Sequence, residues 1–180
     1  MIVILQGSPN PMGNTNQVLE EIIKESNEEC IYFDAYKNPI KSCTDCKYCS
    51  FKKGCKNKDD MITIYDAIDK ADTLIITSPL YFATLTGELI NMLSRFQTYY
   101  SGKYERHDSN PTIKKAFFLV TAGGSWPTMF QGVIETFKII QSLFNINETR
   151  SLFIPNCDTI PPINSSEYVS QKIELKQFLS

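Results

Sequence analysis

Short runs of apolar residues alternate along the chain with longer stretches in which apolar positions return every three or four residues. Residues 2–5 (IVIL) are apolar without interruption, the pattern of a strand buried on both faces. Residues 14–17 (NTNQ) read as a helix start, with Asn14 as cap and Gln17 three residues later as in a capping box, and Val18, Leu19, Ile22 and Ile23 follow as its buried stripe. Residues 31–34 predict a second, weaker strand. The neighbouring carboxylates Asp59 and Asp60 suit the positive end of a helix dipole, and Met61, Ile64 and Ile68 continue that helix. A strand is predicted at 73–77 and a helix at 87–96 on Leu89, Leu93 and Phe96. A strongly buried strand is predicted at 116–121 and a helix at 132–143 on Val133, Phe137, Ile140 and Leu143. A fifth strand at 147–154 and a closing helix at 166–179 complete the pattern. Strands separated by helices of this length pair in parallel through right-handed crossovers. The expected fold class is therefore α/β, a doubly wound five-stranded parallel sheet with helices on both faces. No repeat or low-complexity tract divides the 180 residues, so one domain is expected over 1–180. Two long irregular stretches, about 36–58 and 97–113, belong on the site side or at an interface, because long loops in compact domains usually carry function.

Composition narrows the function. With 42% hydrophobic and 21% charged residues and a formal charge of −2, the chain carries no global attraction to nucleic acid or to an anionic membrane. Neither is expected as a partner. The first residues, Met1-Ile-Val-Ile-Leu-Gln-Gly, lack a basic leader and their apolar run is too short to act as a signal or to span a bilayer. A cytoplasmic location is expected, where thiols stay reduced unless they bind metal or do redox work.

That matters because four of the six cysteines fall within thirteen residues, Cys43-Thr-Asp-Cys46-Lys-Tyr-Cys49-Ser-Phe-Lys-Lys-Gly-Cys55, a cysteine-rich insertion at about 41–58. A [4Fe-4S] cluster needs four thiolates, one per iron; the two-residue gaps let one loop wrap three corners, and Gly54 lets the chain turn back to bring Cys55 to the fourth. Structural zinc also takes four cysteines, but it usually joins two C-x-x-C knuckles across about twelve or more residues, and the gap from Cys49 to Cys55 is shorter. Zinc, a dithiol switch and an inert loop remain open beside iron-sulfur. Cys30 and Cys157 lie outside the loop.

In a doubly wound sheet ligands bind beyond the carboxyl ends of the strands, at the point where strand order reverses. Three segments fall there. In Gly7-Ser-Pro-Asn-Pro-Met-Gly-Asn-Thr-Asn16 a strand gives way to a helix, and its backbone amides, with Ser8, Asn14, Thr15 and Asn16 as neutral donors, suit a phosphate. An ordinary turn and cap would look the same. The segment is neither G-x-G-x-x-G nor a P-loop, which weakens the dinucleotide and nucleoside-triphosphate readings. Thr77-Ser-Pro-Leu-Tyr-Phe-Ala-Thr-Leu-Thr-Gly87 offers a polar and aromatic loop for a flat ring, and the glycines of Thr121-Ala-Gly-Gly-Ser-Trp126 allow close approach of a ligand.

As a set, these loops resemble the flavodoxin-like NAD(P)H-dependent FMN reductase superfamily, and the cysteine loop resembles that of its iron-sulfur flavoprotein branch. The resemblance covers nearly the whole chain: G-S-P-x-x-x-G-N-T, the cysteines leading into Asp59-Asp60-Met61, S-P-x-Y before a helix, and a glycine loop after the fourth strand. It implies a flavodoxin-like strand order of 2-1-3-4-5. It implies FMN, with the phosphate at Ser8, Asn14, Thr15 and Asn16, the ring at Pro79, Leu80, Tyr81 and Phe82, and the ring's far edge at Thr121, Gly123 and Gly124. A [4Fe-4S] cluster on Cys43, Cys46, Cys49 and Cys55 would then pass electrons to FMN and on to a small-molecule acceptor. The chain departs from the pattern at Asn10, where a basic residue is common, and at Phe82, where tryptophan is common.

Two alternatives follow from the same residues. One is an NAD(P)H-dependent FMN or quinone reductase without a cluster; the other is a zinc-binding interaction module on the same scaffold. Around the cysteines stand Lys41, Lys47, Lys52, Lys53, Lys56 and Lys58, a collar that suits an acidic ferredoxin-type donor, although solvated lysines are the commoner case. His107 is the only histidine and no G-x-S-x-G elbow is present, which argues against a hydrolase. Trp126 suits either the ligand's border or packing. Tyr99, Tyr100 and Tyr104 suit a substrate pocket or a neighbouring subunit, and a homodimer or homotetramer is expected.

Overall fold

Five strands form a single parallel sheet in a computed structural model that describes residues 1–24 and 26–179. They are β1 (Ile2–Gln6), β2 (Cys30–Asp34), β3 (Thr73–Pro79), β4 (Lys115–Thr121) and β5 (Glu148–Ile154), in the order β2-β1-β3-β4-β5. Every neighbouring pair is parallel, with Ile2 opposite Cys30 and Thr73, and Lys115 opposite Thr73 and Glu148. Order reverses between β1 and β3, so the crevice that such a sheet offers to a ligand opens at the ends of these two strands. This is the doubly wound, flavodoxin-like arrangement expected from the sequence.

Strand periodicity splits the core into two layers. Val3, Leu5, Leu74, Ile76, Phe118 and Val120 face one side, packed by α3 (Met61–Ile68), α4 (Gly87–Ser94) and α6 (Gln131–Leu143) through Ile64, Leu89, Met92, Val133 and Phe137. Ile2, Ile4, Ile75, Phe117, Leu119, Leu152 and Ile154 face the other, covered by α1 (Asn14–Ile23) and α7 (Ser166–Leu179) through Val18, Leu19, Ile22, Tyr168 and Leu175. Fully burying each such aliphatic side chain contributes about 1.5–3 kcal/mol, which makes these two layers the main source of stability. The edge strand β2 is only partly buried, which explains why it reads weakly in the sequence. Among the described residues no helix is long and apolar enough to cross a membrane.

Two expectations are corrected. The helix α1 has Gly13, not Asn14, at its cap position, and no side chain caps it. The Asn14 amide instead donates to the Cys157 carbonyl at 3.2 Å, and the Gln17 amide reaches the Met12 carbonyl at 2.9 Å, so the capping box is not formed. The second correction concerns 97–113, expected to be irregular throughout. Residues Gln97–Ser101 form helix α5, which continues as a π-helical turn over Gly102–Arg106. Its buried stripe is Thr98, Tyr99, Ser101 and Gly102, so small polar residues hide a helical period that a hydrophobic pattern does not register. Tyr99 packs edge-on against Tyr65, Phe96 and Phe144 and so belongs to the chain's own core, whereas Tyr100 and Tyr104 are exposed. The cysteine-rich stretch keeps its irregular course except for one turn, α2 (Tyr48–Phe51).

Candidate active site

The carboxyl ends of β1, β3, β4 and β5 converge on one cleft. Its walls are Ser8, Pro9, Asn10, Gly13, Asn14 and Thr15 from the loop after β1, Pro79, Leu80 and Tyr81 from β3 and its loop, Thr121, Ala122 and Gly123 from β4, and Cys157 and Asp158 after β5. The first backbone bond of α1 runs from Gln17 N–H to the Gly13 carbonyl at 3.1 Å. The first-turn amides before it have no partner within the helix and carry its positive dipole end. They open beside Ser8 and Asn14 and can hold an anion without a lysine or arginine.

The polar side chains of this end mostly hold the loop in shape. Ser8 Oγ donates to the Asn10 carbonyl at 3.1 Å, and the Asn16 amide donates to the carbonyls of Asn10 and Pro11 at 3.0 and 3.3 Å while its oxygen accepts from Gln6. Thr15 and Thr121 share a hydroxyl bond of 2.7 Å in the interior, tying α1 to the end of β4. Asn14 ties the same loop to the β5 loop. The left-handed backbone at Phe82 and Ala83, with φ of 50° and 61°, closes a tight turn sealed by the Tyr81–Thr84 bridge. That turn sends Phe82 fully into solvent, with Tyr81 half exposed above the cleft.

Of the residues singled out in the sequence, Ser8, Asn14, Thr15, Pro79, Leu80, Tyr81, Thr121 and Gly123 line the cleft; Asn16, Phe82 and Gly124 do not. Asn16 supports the loop from behind, Phe82 projects outward, and Gly124 faces open space. Trp126, half exposed, lies beyond the lining. The sequence reading missed the fourth wall, Cys157 and Asp158, although the rule that ligands sit past strand ends applies equally to β5. Burial pushes the Cys157 thiol upward, against a weaker opposing pull from the Ala122 backbone, so it is a packed thiol rather than an activated one.

The four loop cysteines, Cys43, Cys46, Cys49 and Cys55, line a second, narrow cavity of about 30 Å³ between the loop and the α4–α5 segment, together with Arg95, Gln97, Thr98, Ser101 and Glu105. Left-handed backbone at Asp45, Lys47 and Gly54 bends the chain between the cysteines. The Asp45 amide donates to Cys43 Sγ at 3.5 Å, and Cys49 Sγ lies 3.5 Å from Ser101 Oγ. Among the described residues no three histidine, cysteine, aspartate or glutamate side chains are gathered closely enough to hold a metal ion. The donor set nonetheless fits a thiolate-bound group: four cysteines line one cavity, and all six lysines of the collar are exposed, Lys47 at the cavity itself.

Two arginines that the sequence reading passed over brace this loop. Arg95, 2% exposed, donates to the Lys41 carbonyl at 3.0 Å and to Asp59 at 2.7 and 3.1 Å, joining the chain before Cys43 to the chain after Cys55. Burial opposes its charge, but the Asp59 carboxylate outweighs this and raises its pKa; Asp59 is held below the usual carboxylate range despite its own burial. Asp59 thus pairs with Arg95 as well as accepting the Met61 amide at 3.3 Å. Arg106 donates to the Cys49 carbonyl and pairs with Asp108 at 2.6 Å. A charge amid the apolar positions Leu89, Leu93 and Phe96 was the available signal for Arg95.

The cleft, with the α1 amides at one end and Tyr81 at the other, sits on a chain whose residues 1–152 match the family model described as NADPH-dependent FMN reductase. The chain belongs to the NADPH-dependent FMN reductase family. Within the family it is similar to proteins named iron-sulfur flavoprotein. One from Methanocaldococcus jannaschii is 37% identical over 95 residues, covering 51% of this chain and 48% of that protein. Another, from Archaeoglobus fulgidus, is 32% identical over 108 residues, covering 57% and 52%. The chain therefore spans about half the length of these two relatives. A solved NAD(P)H:quinone oxidoreductase from Methanothermobacter marburgensis superimposes with a TM-score of 0.72 at 18% identity, covering 98% of this chain and 94% of that one. An FMN-dependent NADH-azoreductase from Bacillus anthracis, solved in complex with FMN, gives 0.69 at 14% identity, covering 98% and 95%. At these identities the likeness is one of fold.

Proposed function

We propose that this chain binds FMN in the cleft at the β1–β3 switch point and works as an iron-sulfur flavoprotein, moving electrons between a one-electron carrier, a [4Fe-4S] cluster in the cysteine cavity and a small acceptor at the flavin. The observation that carries the flavin half is the convergence of the unbonded first-turn amides of α1 with Tyr81 and Gly123 on one cleft. The amides, with Ser8 and Asn14, would hold the phosphate. Pro79, Leu80 and Tyr81 would flank the ring, and Thr121 and Gly123 would present backbone to its edge. FMN supplies hydride and single-electron chemistry when bound, so the protein needs no side-chain acid or base.

Four cysteines lining one cavity and the names of the relatives support the cluster half. Metal binding would draw the thiolates inward, since metal sites complete themselves on binding. The Arg95 and Arg106 braces hold the loop in register for that step, and the exposed lysines give an acidic ferredoxin-type donor a face to approach. The half-exposed Tyr81 and fully exposed Phe82 beside the cleft suit assembly as a homodimer or homotetramer.

One observation favours a second reading: the sulfurs are not gathered to ligating distance. In that reading FMN takes hydride from NAD(P)H and the cysteines are structural or redox-sensing. Purification without oxygen separates the two. Flavin absorption with about four irons and four sulfides per chain supports the first. Flavin without iron supports the second, and zinc without flavin overturns both.

A further inference from the structure

We infer that Asp158 is a positioning residue of the cleft that lowers the reduction potential of the flavin bound there, an inference that rests on the FMN reading above. Asp158 is the only charged side chain among the described residues that line the cleft. Its side chain is exposed, and its backbone amide donates to the Gly123 carbonyl at 3.2 Å. Its carboxylate lies flat across Gly123: a methyl group built on that glycine would stand 2.4 Å from Oδ2 and 2.9 Å from Oδ1.

The backbone that carries the carboxylate is firmly placed. Three successive backbone bonds lace its loop to the β4 loop: Asn156 N–H to the Gly124 carbonyl at 3.1 Å, Cys157 N–H to Ala122 at 2.9 Å, and Asp158 N–H to Gly123. Asn156 takes left-handed backbone, with φ of 59°, to make the turn. Asn14 adds a side-chain tie to the Cys157 carbonyl. A negative charge against the glycine that would face the ring opposes the electron density that reduction adds. At an effective dielectric constant of about 20, one charge within roughly 10 Å changes such an equilibrium by about tenfold or more. Asp158 therefore favours oxidised over reduced FMN, making the bound flavin a stronger reductant. Its carboxylate oxygens remain free to accept an N–H or O–H of the ligand.

The test is the midpoint potential of FMN on the full-length protein, measured by anaerobic dye equilibration for wild type, Asp158→Asn and Asp158→Glu. Asp158→Asn keeps the shape and removes the charge. It should tighten binding of reduced relative to oxidised FMN about tenfold, which for a two-electron couple is a rise of about 30 mV. Asp158→Glu keeps the charge and should stay near wild type. An unchanged potential in Asp158→Asn overturns the inference, and equal shifts in both variants overturn it too, because they would report shape rather than charge. A wild-type protein that retains no FMN overturns the flavin reading and this inference with it.

Discussion

Replacing Asp59 by alanine should destabilise the protein far more than a surface carboxylate would. The Arg95 side chain is 1% exposed and Asp59 accepts two of its hydrogen bonds, so the variant leaves a buried cation whose remaining partners are carbonyls such as those of Lys41 and Asn57. Removing one partner of a buried ion pair costs about 3–5 kcal/mol. Asp59 keeps 28% exposure and the carbonyls still solvate the guanidinium, so the lower end, about 3 kcal/mol, applies. With a urea dependence of about 2 kcal/mol/M, the midpoint should fall by about 1.5 M in equilibrium unfolding followed by circular dichroism. The double variant Asp59→Ala with Arg95→Met removes the orphaned charge and should recover at least half of the loss. A single variant within about 0.5 kcal/mol of wild type, or a double variant no better than the single, would refute the view that this pair braces the cysteine loop.

The same pair sets an acid limit. Arg95 holds the folded Asp59 below its ordinary value of 3.8, so the pair contributes stability above about pH 4 that is lost as pH falls through the folded value. Wild type should lose stability more steeply than Asp59→Asn below about pH 4 in acid titrations followed by circular dichroism, and parallel curves would contradict the assignment. Asn14→Asp, which places a carboxylate at the first turn of α1 and removes the tie to Cys157, should weaken FMN binding at least tenfold by fluorescence titration. Gly7→Ala should lower stability by about 1–3 kcal/mol, because the added methyl would stand 2.8 Å from Leu89 and from Thr86 Oγ1; an unchanged melting temperature would argue against that packing. Reversing charge at Lys52 and Lys53 together should slow reduction by an acidic ferredoxin at low salt and leave the rate unchanged at high salt.

Much of the fold could be read because its signals are hydrophobic. Uninterrupted runs such as Ile2 to Leu5 and Ala116 to Val120 mark strands covered on both faces, and the helices opposite them carry regular apolar stripes. What escaped was written in polar residues. The α5 stripe is built from Thr98, Ser101 and Gly102 beside Tyr99, small groups that pack closely without registering as hydrophobic. Asn14 could not be read as a tie to Cys157, 143 residues away, because its local sequence fits a cap equally well. Asn16 and Phe82 sit in the right motifs but do not line the cleft: Asn16 is spent on Gln6 and the carbonyls of Asn10 and Pro11, and Phe82 is turned outward by a left-handed turn that residue type does not specify. Arg95 and Asp158 each depend on partners brought together only by the folded sheet.

The most direct test of the central claim is a reductive titration of the oxygen-free protein with a one-electron reductant, counting electrons taken up per chain. An FMN and a [4Fe-4S] cluster together should accept about three electrons, two at the flavin and one at the cluster, with bleaching in both absorption envelopes. Uptake of two electrons with flavin bleaching alone would contradict the cluster, and uptake of none would contradict the flavin as well.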